Sequence, residues 1–285
     1  MSIAQALRDA AAQLDKISST PRLDAELLLA HALDISRNEL LLRQQDLSVP
    51  DRFGVLLDRR LGGEPIAYIT GIRDFWTVSL RVTPDVLIPR PDTETLIEAA
   101  IEHFKDRSPE RILDLGTGSG ALLLAALDHW PQAKGIGVDL SAAALAVAQN
   151  NAERLGLAGR ASFRLGNWAE GIAGEFDLIL ANPPYIASEE RLTGDVLHEP
   201  ASALFAGIDG LDDYRRIAPM IARLLTSDGV AAIEIGHDQR ESVSALMRAE
   251  GLGVAVHKDM AGHDRCLLAE RPSAVLKGHD GLRCE

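Results

Sequence analysis

Apolar positions in the first 70 residues recur at helical spacing. Leu7, Ala11 and Leu14 mark one helix. Leu23, Leu27, Ala30 and Leu33 mark a second, which opens at Thr20-Pro21 with Asp24 and Glu26 in its first turn. A third helix is expected over about 37–44 and a fourth over 50–61, together a small bundle. Gly62-Gly63-Glu64-Pro65 breaks the last of them. Tyr68-Ile69-Thr70-Gly71 and residues 75–82 then read as β structure forming a hairpin linker, with Val78, Leu80 and Val82 alternating against Ser79 and Arg81. In Leu87-Ile88-Pro89-Arg90-Pro91-Asp92-Thr93-Glu94 two prolines enforce an extended loop, and Asp92 or Thr93 is placed to cap a helix over 94–104. From Arg111 onward strands alternate with helices: strands at 111–115, 135–139, 161–165, 176–181 and 230–235, helices at 121–129, 141–155, 211–225 and 238–250. Two last strands, 253–257 and 265–270, are joined too briefly for a parallel crossover and should form an antiparallel pair at one edge. The pattern predicts an α/β fold, an open, mostly parallel, seven-stranded Rossmann-like sheet with helices on both faces. The domain reading is 1–70 helical, 71–90 linker, 91–271 sheet domain and 272–285 a disordered tail without periodicity.

Composition narrows the class. Of 285 residues 46% are hydrophobic and 25% charged, as in soluble globular proteins, and the length supports a core without disulfides. Cys266 and Cys284 make neither a disulfide framework nor a metal cluster, and His237, His257 and His263 lack ligand spacing, so no metal is expected. The net charge of −13 makes a poor generic partner for nucleic-acid phosphates. The first nine residues have no basic leader, and no run of about 18 apolar residues occurs; a cytoplasmic protein without membrane contact is expected.

The chemistry gathers at three strand ends. Asp114-Leu115-Gly116-Thr117-Gly118-Ser119-Gly120 closes the first strand of the sheet and opens a helix. Glycines there admit a ligand close to the backbone, beside the free N–H groups of the helix start. Their Gly-x-Gly-x-Gly spacing differs from the Gly-x-Gly-x-x-Gly of a pyrophosphate site. Asp139, at the tip of the second strand, can accept from both hydroxyls of a ribose, while Ser141 is better placed to cap the next helix. After the third strand, Asn167 can bond a base edge, and Trp168 either stacks on a base or fills the core. The fourth strand stops at Asn182-Pro183-Pro184-Tyr185. No strand continues through two prolines, and the residue before a proline is held extended. The outcome is a rigid tip bearing one amide, free carbonyls and one aromatic ring, suited to gripping a small planar polar group.

Together these residues resemble the class I S-adenosylmethionine-dependent methyltransferases. Residues 114–120 match their first motif, Asp139 their ribose-binding acid, and Asn182-Pro183-Pro184-Tyr185 the motif shared by enzymes that methylate adenine, guanine or glutamine amino groups. Pro21-Arg22-Leu23-Asp24-Ala25-Glu26, Gly63-Glu64-Pro65-Ile66-Ala67-Tyr68, residues 86–94, Glu199-Pro200, Asp209-Gly210-Leu211 and Lys258-Asp259-Met260-Ala261-Gly262 are similar to the bacterial HemK/PrmC family, over roughly residues 1–270. Asp92 stands where that family often has Glu. The resemblance implies transfer of a methyl group from S-adenosyl-L-methionine, leaving S-adenosyl-L-homocysteine, to the N5 amide nitrogen of the Gly-Gly-Gln glutamine in class I peptide chain release factors. It also implies a monomer whose helical domain recognises the protein substrate, with no direct nucleic-acid contact. It assigns cofactor binding to Asp114, Gly116, Thr117, Gly118, Ser119, Gly120, Asp139, Asn167, Trp168 and Asn182, and catalysis and substrate binding to Asn182, Pro183, Pro184 and Tyr185, with Arg90 and Glu94 from the linker facing the same site. The competing reading is an amino methyltransferase acting on adenine or guanine with the same Asn-Pro-Pro-Tyr chemistry.

Overall fold

The computed structural model describes residues 1–192 and 194–272; residues 273–285 of the tail lie outside the described residues. The N-terminal bundle comprises α1 (Ile3–Leu14), α2 (Pro21–Leu33), α3 (Arg37–Leu42), α4 (Arg52–Leu61) and α5 (Ile66–Thr70). The Ser2 hydroxyl accepts the Gln5 N–H and so starts α1. The α1 stripe Ile3, Ala6, Leu7, Ala10 and Leu14 packs on Ala25, Leu28, Leu29 and Ala32 of α2, with Leu40, Phe53 and Leu57 completing the core. Each leucine buried there contributes about 1.5–3 kcal/mol.

Two expectations for this region need correction. The buried face of α2 is turned from the expected stripe: Leu23 is exposed, while Asp24 and Glu26 are buried. Its leucine run is apolar on several sides, so charge pairing decides the rotation. Arg60 of α4 donates to Asp24 at 2.9 Å, and Glu26 takes Arg22 and Arg37 at 2.6 and 2.8 Å. Residues 68–70 are helical, not β. Pro65 begins the turn, and Gly71, at φ +72°, ends it in the left-handed region. The Tyr68 hydroxyl donates to the Val86 carbonyl at 2.6 Å, which locks this turn against the linker.

The linker hairpin pairs β1 (Ile72–Phe75) with β2 (Val78–Arg81) antiparallel. Its outer edge is closed by a side chain: buried Asn151 accepts from Arg81 N at 2.7 Å and donates to Arg81 O at 2.9 Å. The same amide donates to Ser119 O at 2.9 Å, tying the hairpin to the glycine loop.

The larger unit contains α6 (Glu94–Phe104), β3 (Arg111–Leu115), α7 (Ala121–His129), β4 (Lys134–Asp139), α8 (Ala142–Arg154), β5 (Ala161–Leu165), β6 (Phe176–Ala181), α9 (Asp212–Leu224), β7 (Leu225–Glu234), α10 (Arg240–Ala249), β8 (Gly253–Lys258) and β9 (Asp264–Glu270). Strand order is β5-β4-β3-β6-β7-β9-β8. The five strands from β5 to β7 pair in parallel, and the last two form the antiparallel pair at one edge, with β9 inserted between β7 and β8. Both faces are covered. Ile112, Leu178, Leu180, Val230 and Ala232 pack with α6 and α7, while Leu113, Leu115, Ile179, Ala231 and Ile233 pack with α9 and α10. Alternate residues of one strand thus enter opposite cores, which is why these strands read as continuous apolar runs.

Candidate active site

From β3 the chain winds outward to β4 and β5, then returns to β6 on the other side. That reversal opens a crevice beyond the carboxyl ends of β3, β4 and β6, the place where open α/β sheets bind ligands. A cavity of about 580 Å³ lies there, within the range of small-molecule sites. Its wall brings together Asp114, Gly116, Thr117, Gly118, Ser119, Asp139, Asn167, Trp168, Asn182 and Pro184.

The glycine loop is shaped by backbone geometry. Gly116, Gly118 and Gly120 have φ of +73°, +53° and +83°. A Cβ on Gly116 would sit 3.1 Å from the Trp168 ring, so glycine is required there both for its φ and for space. Gly120 is not part of the wall; it starts α7. Asp114 is fully buried, and burial pushes its carboxyl up to about 7. One of its oxygens accepts from the Thr117 hydroxyl at 2.6 Å, and Oδ1 has no partner among the described residues. Asp139 accepts from Gly118 N at 2.8 Å through one oxygen and from Ser141 N at 2.9 Å through the other. A carboxylate has about four acceptor positions, so two remain for a ligand. Ser141 caps α8 by accepting the Ala144 N–H at 3.1 Å.

Trp168 stands between the core and the cavity. Its ring packs against the core beneath α9 and also lines the cavity, and its Nε1 donates to Asp213 at 3.2 Å. Asn167 donates to Glu170 at 2.9 Å.

At the tip of β6, Asn182 Nδ2 donates to the Thr93 hydroxyl at 3.3 Å, and Asn182 Oδ1 has no partner among the described residues. Thr93 therefore does not cap α6; it ends a 3-10 turn over Pro91–Thr93 and faces the β6 tip. Pro183 and Tyr185 are not among the residues lining the cavity. Tyr185 packs against the core, its carbonyl takes Gln239 Nε2 at 3.0 Å, and burial raises its phenol to about 12. A Cβ on Gly210 would lie 2.3 Å from that carbonyl, and φ is +70°, so only glycine lets this loop cross the strand tip. Arg90 and Glu94 do not line the cavity. Arg90 grips both oxygens of the buried Glu199 at 2.7 Å, and Glu94 accepts the Trp76 N–H at 2.9 Å. The two instead hold the loop after β6 and the hairpin.

The sequence has relatives throughout its length. A family model of the PrmC N-terminal domain matches residues 5–71, and one of the methyltransferase small domain matches residues 93–207. The release factor glutamine methyltransferase of Rhodospirillum rubrum is 44% identical over 261 residues, covering 89% of this chain and 80% of that protein. The release factor glutamine methyltransferase of Moorella thermoacetica is 43% identical over 280 residues, 95% of this chain and 99% of that protein. The chain belongs to the release factor glutamine methyltransferase family. Solved structures agree on the fold. A Pyrococcus furiosus methyltransferase superposes with a TM-score of 0.52 at 19% identity, over 74% of this chain and 95% of that one. The hMettl16 catalytic domain, solved with a 3'UTR hairpin, gives 0.58 at 16% identity, over 79% and 84%.

In this member of the release factor glutamine methyltransferase family, several wall residues were not assigned to the site from the sequence. Val86 and Leu87 come from the linker, Leu140 follows Asp139, and Pro200, Ala203 and Phe205 hang from the loop after β6. Asp213 lies in the first turn of α9 and is buried against Trp168 and Arg216. The family resemblance over residues 86–94 and at Glu199-Pro200 marked part of these segments without giving them a role. Among the described residues no three His, Cys, Asp or Glu side chains converge on a metal site, and no helix is long and apolar enough to cross a membrane.

Proposed function

We propose that this chain methylates the N5 amide nitrogen of the glutamine in the Gly-Gly-Gln motif of class I peptide chain release factors, with S-adenosyl-L-methionine as donor. The observation that carries the reading is the Asn182 amide. It is anchored through Nδ2, with Oδ1 unpartnered, at a rigid strand tip that shares a cavity with a glycine loop and an acidic strand end.

The residues present fit the donor. The left-handed glycines form a cradle that a Cβ would fill, Asp114 Oδ1 is a buried acceptor without a partner, and Asp139 has free lone pairs for ribose hydroxyls. When bound, S-adenosyl-L-methionine supplies a methyl group already activated by the sulfonium charge, so the protein's task is chiefly positioning. A glutamine nitrogen is a weak nucleophile because its lone pair is delocalised into its carbonyl. Asn182 Oδ1 and the Pro183 carbonyl accept its two N–H bonds and aim the lone pair at the methyl. A proline carbonyl accepts without a competing N–H of its own. The substrate nitrogen bonds carbon as the carbon–sulfur bond breaks, and it then loses a proton to solvent, so no strong base is required. Asn167 and Trp168 border the nucleoside end, and Tyr185 backs the tip. The helical bundle over 1–70 recognises the release factor, and the protein acts as a cytoplasmic monomer.

Purified release factor, incubated with S-adenosyl-L-methionine and either wild type or Asn182→Ala, tests this by mass spectrometry of the Gly-Gly-Gln peptide. Methylation by wild type and none by the variant is expected. Label entering bulk DNA or RNA instead would overturn the choice of substrate, and equal rates for both proteins would overturn the role of Asn182.

A further inference from the structure

The chain leaves the main sheet at Ala181, which pairs with Leu115 of β3 and Ile233 of β7. Its backbone pairs again at Ile186, with Leu204 and Ala206 of its own loop. Residues 182–185 between them lie in no strand, and Pro183 and Pro184 have no N–H with which to join one. Two prolines make this segment stiff, but stiffness does not set where it points. A stiff segment is aimed by whatever holds its two ends. β6 holds the Asn182 end, and Gln239 holds the Tyr185 end.

Gln239 lies between β7 and α10. Its side chain does not cap α10 but turns back to the tip of β6. Nε2 donates to the Tyr185 carbonyl at 3.0 Å and to the Gly210 carbonyl at 3.3 Å, while Oε1 accepts the Gly236 N–H at 3.0 Å. Both ends of the amide therefore meet backbone groups. Carbonyls only accept and a backbone N–H only donates, so the amide has one orientation and cannot flip. Two buried glycines shape the slot that holds it. A Cβ on Gly210 would come within 2.9 Å of Nε2, and one on Gly236 within 2.9 Å of Oε1. The Tyr185 ring packs against the core, which fixes how deep the segment lies. The bond to its carbonyl fixes the rotation of the peptide that follows.

We propose that Gln239 is a positioning residue for methyl transfer. By tying the far end of residues 182–185 to the end of β7, it aims the Asn182 amide and the Pro183 carbonyl at the methyl-accepting nitrogen. Gln239 does not line the cavity, so its effect passes through the backbone. The proposal rests on the function proposed above. The glycine loop and Asp139 follow β3 and β4, on the opposite side of β6 from β7. Loss of Gln239 should therefore disturb the accepting tip and leave the donor's place alone.

The test compares Gln239→Met and Gln239→Glu with wild type, measuring kcat and KM for release factor, the Kd for S-adenosyl-L-methionine in calorimetry, and the melting temperature. Gln239→Met keeps the length of the side chain and removes its hydrogen bonds. Its kcat should fall by roughly 10–100-fold, since a misplacement of about 1 Å at the reacting groups can cost about 10²-fold. KM and the donor Kd should change little, the pattern of an interaction that matters only at transfer. Gln239→Glu still accepts from Gly236 but sets a carboxylate oxygen against two carbonyls, so its kcat should fall at least as far. Wild-type kcat in either folded variant would overturn the proposal. So would a rise in donor Kd as large as the fall in kcat, because the whole site would then have been disturbed. Should Gln239→Met not fold, Gln239→Glu decides by the same measurements. Failure of both to fold would show that the contact holds the fold rather than aims the tip, and would also overturn it. Absence of methylation by wild type would instead overturn the function proposed above.

Discussion

Two neighbouring strands end beside the cavity in opposite ways. At the tip of β3 the backbone turns through three left-handed glycines and offers N–H groups at the start of α7. At the tip of β6 it is stiffened by two prolines, which have no N–H to offer, and presents an amide oxygen and carbonyls. The first tip leaves room beside the backbone and presents donors; the second holds its shape and presents acceptors. A site that must bring an electron-poor methyl up to an amide N–H pair needs one wall of each kind. The sheet provides them by placing β3 beside β6 at the point where its winding reverses.

The comparison breaks most sharply at the accepting tip. Asn182→Ala should lower kcat by on the order of 10²–10³ or more, with donor affinity nearly unchanged in calorimetry, because it deletes an interaction needed at transfer. At the donating tip the losses should reverse. Gly116→Val forces a branched residue into φ +73° and against the Trp168 ring; donor affinity should fall about 100-fold or more, and a normal Kd would show that the cradle is not the donor site. Asp139→Asn should raise the donor Kd by roughly tenfold, since charge-assisted acceptors are worth about 1.5–3 kcal/mol and part of the bonding survives in the amide.

A pH effect should come next in size. Burial raises Asp114 from 3.8 to about 7, so the native state holds a proton that the unfolded chain has already released. Its contribution to stability is full below about 3.8 and is lost as pH rises to about 7. Thermal melts of Asp114→Asn should be flatter than wild type across that interval, and parallel curves would show that Asp114 is ionised when folded. Smallest is Trp168→Phe, which replaces the indole by a smaller ring and removes the bond to Asp213; a loss on the order of 1–2 kcal/mol in denaturant unfolding is expected.

The two tips were legible in the sequence because glycine and proline act locally: each fixes its own backbone whatever lies elsewhere. The strand and helix order from Arg111 onward was legible for a related reason, since period-2 and period-3.6 patterns report burial directly. What could not be read depended on partners distant in sequence. Arg90 is set by Glu199, Glu94 by a backbone N–H of the hairpin, and the face of α2 by Arg60 of α4. Residues 68–70 resemble a strand in composition, yet Pro65 and Gly71 bracket a single helical turn between them. Thr93 illustrates the limit. A threonine before a helix suggests a cap, and only the neighbouring end of β6 gives its hydroxyl other work.

Asn151 carries a consequence for solubility. A two-stranded hairpin standing apart from the main sheet exposes a row of backbone groups that any other extended chain can extend. By giving Arg81 both a donor and an acceptor, one asparagine imitates a third strand one residue long. The hairpin is thereby denied to a second copy of the protein, and aggregation after loss of this side chain should begin at β2.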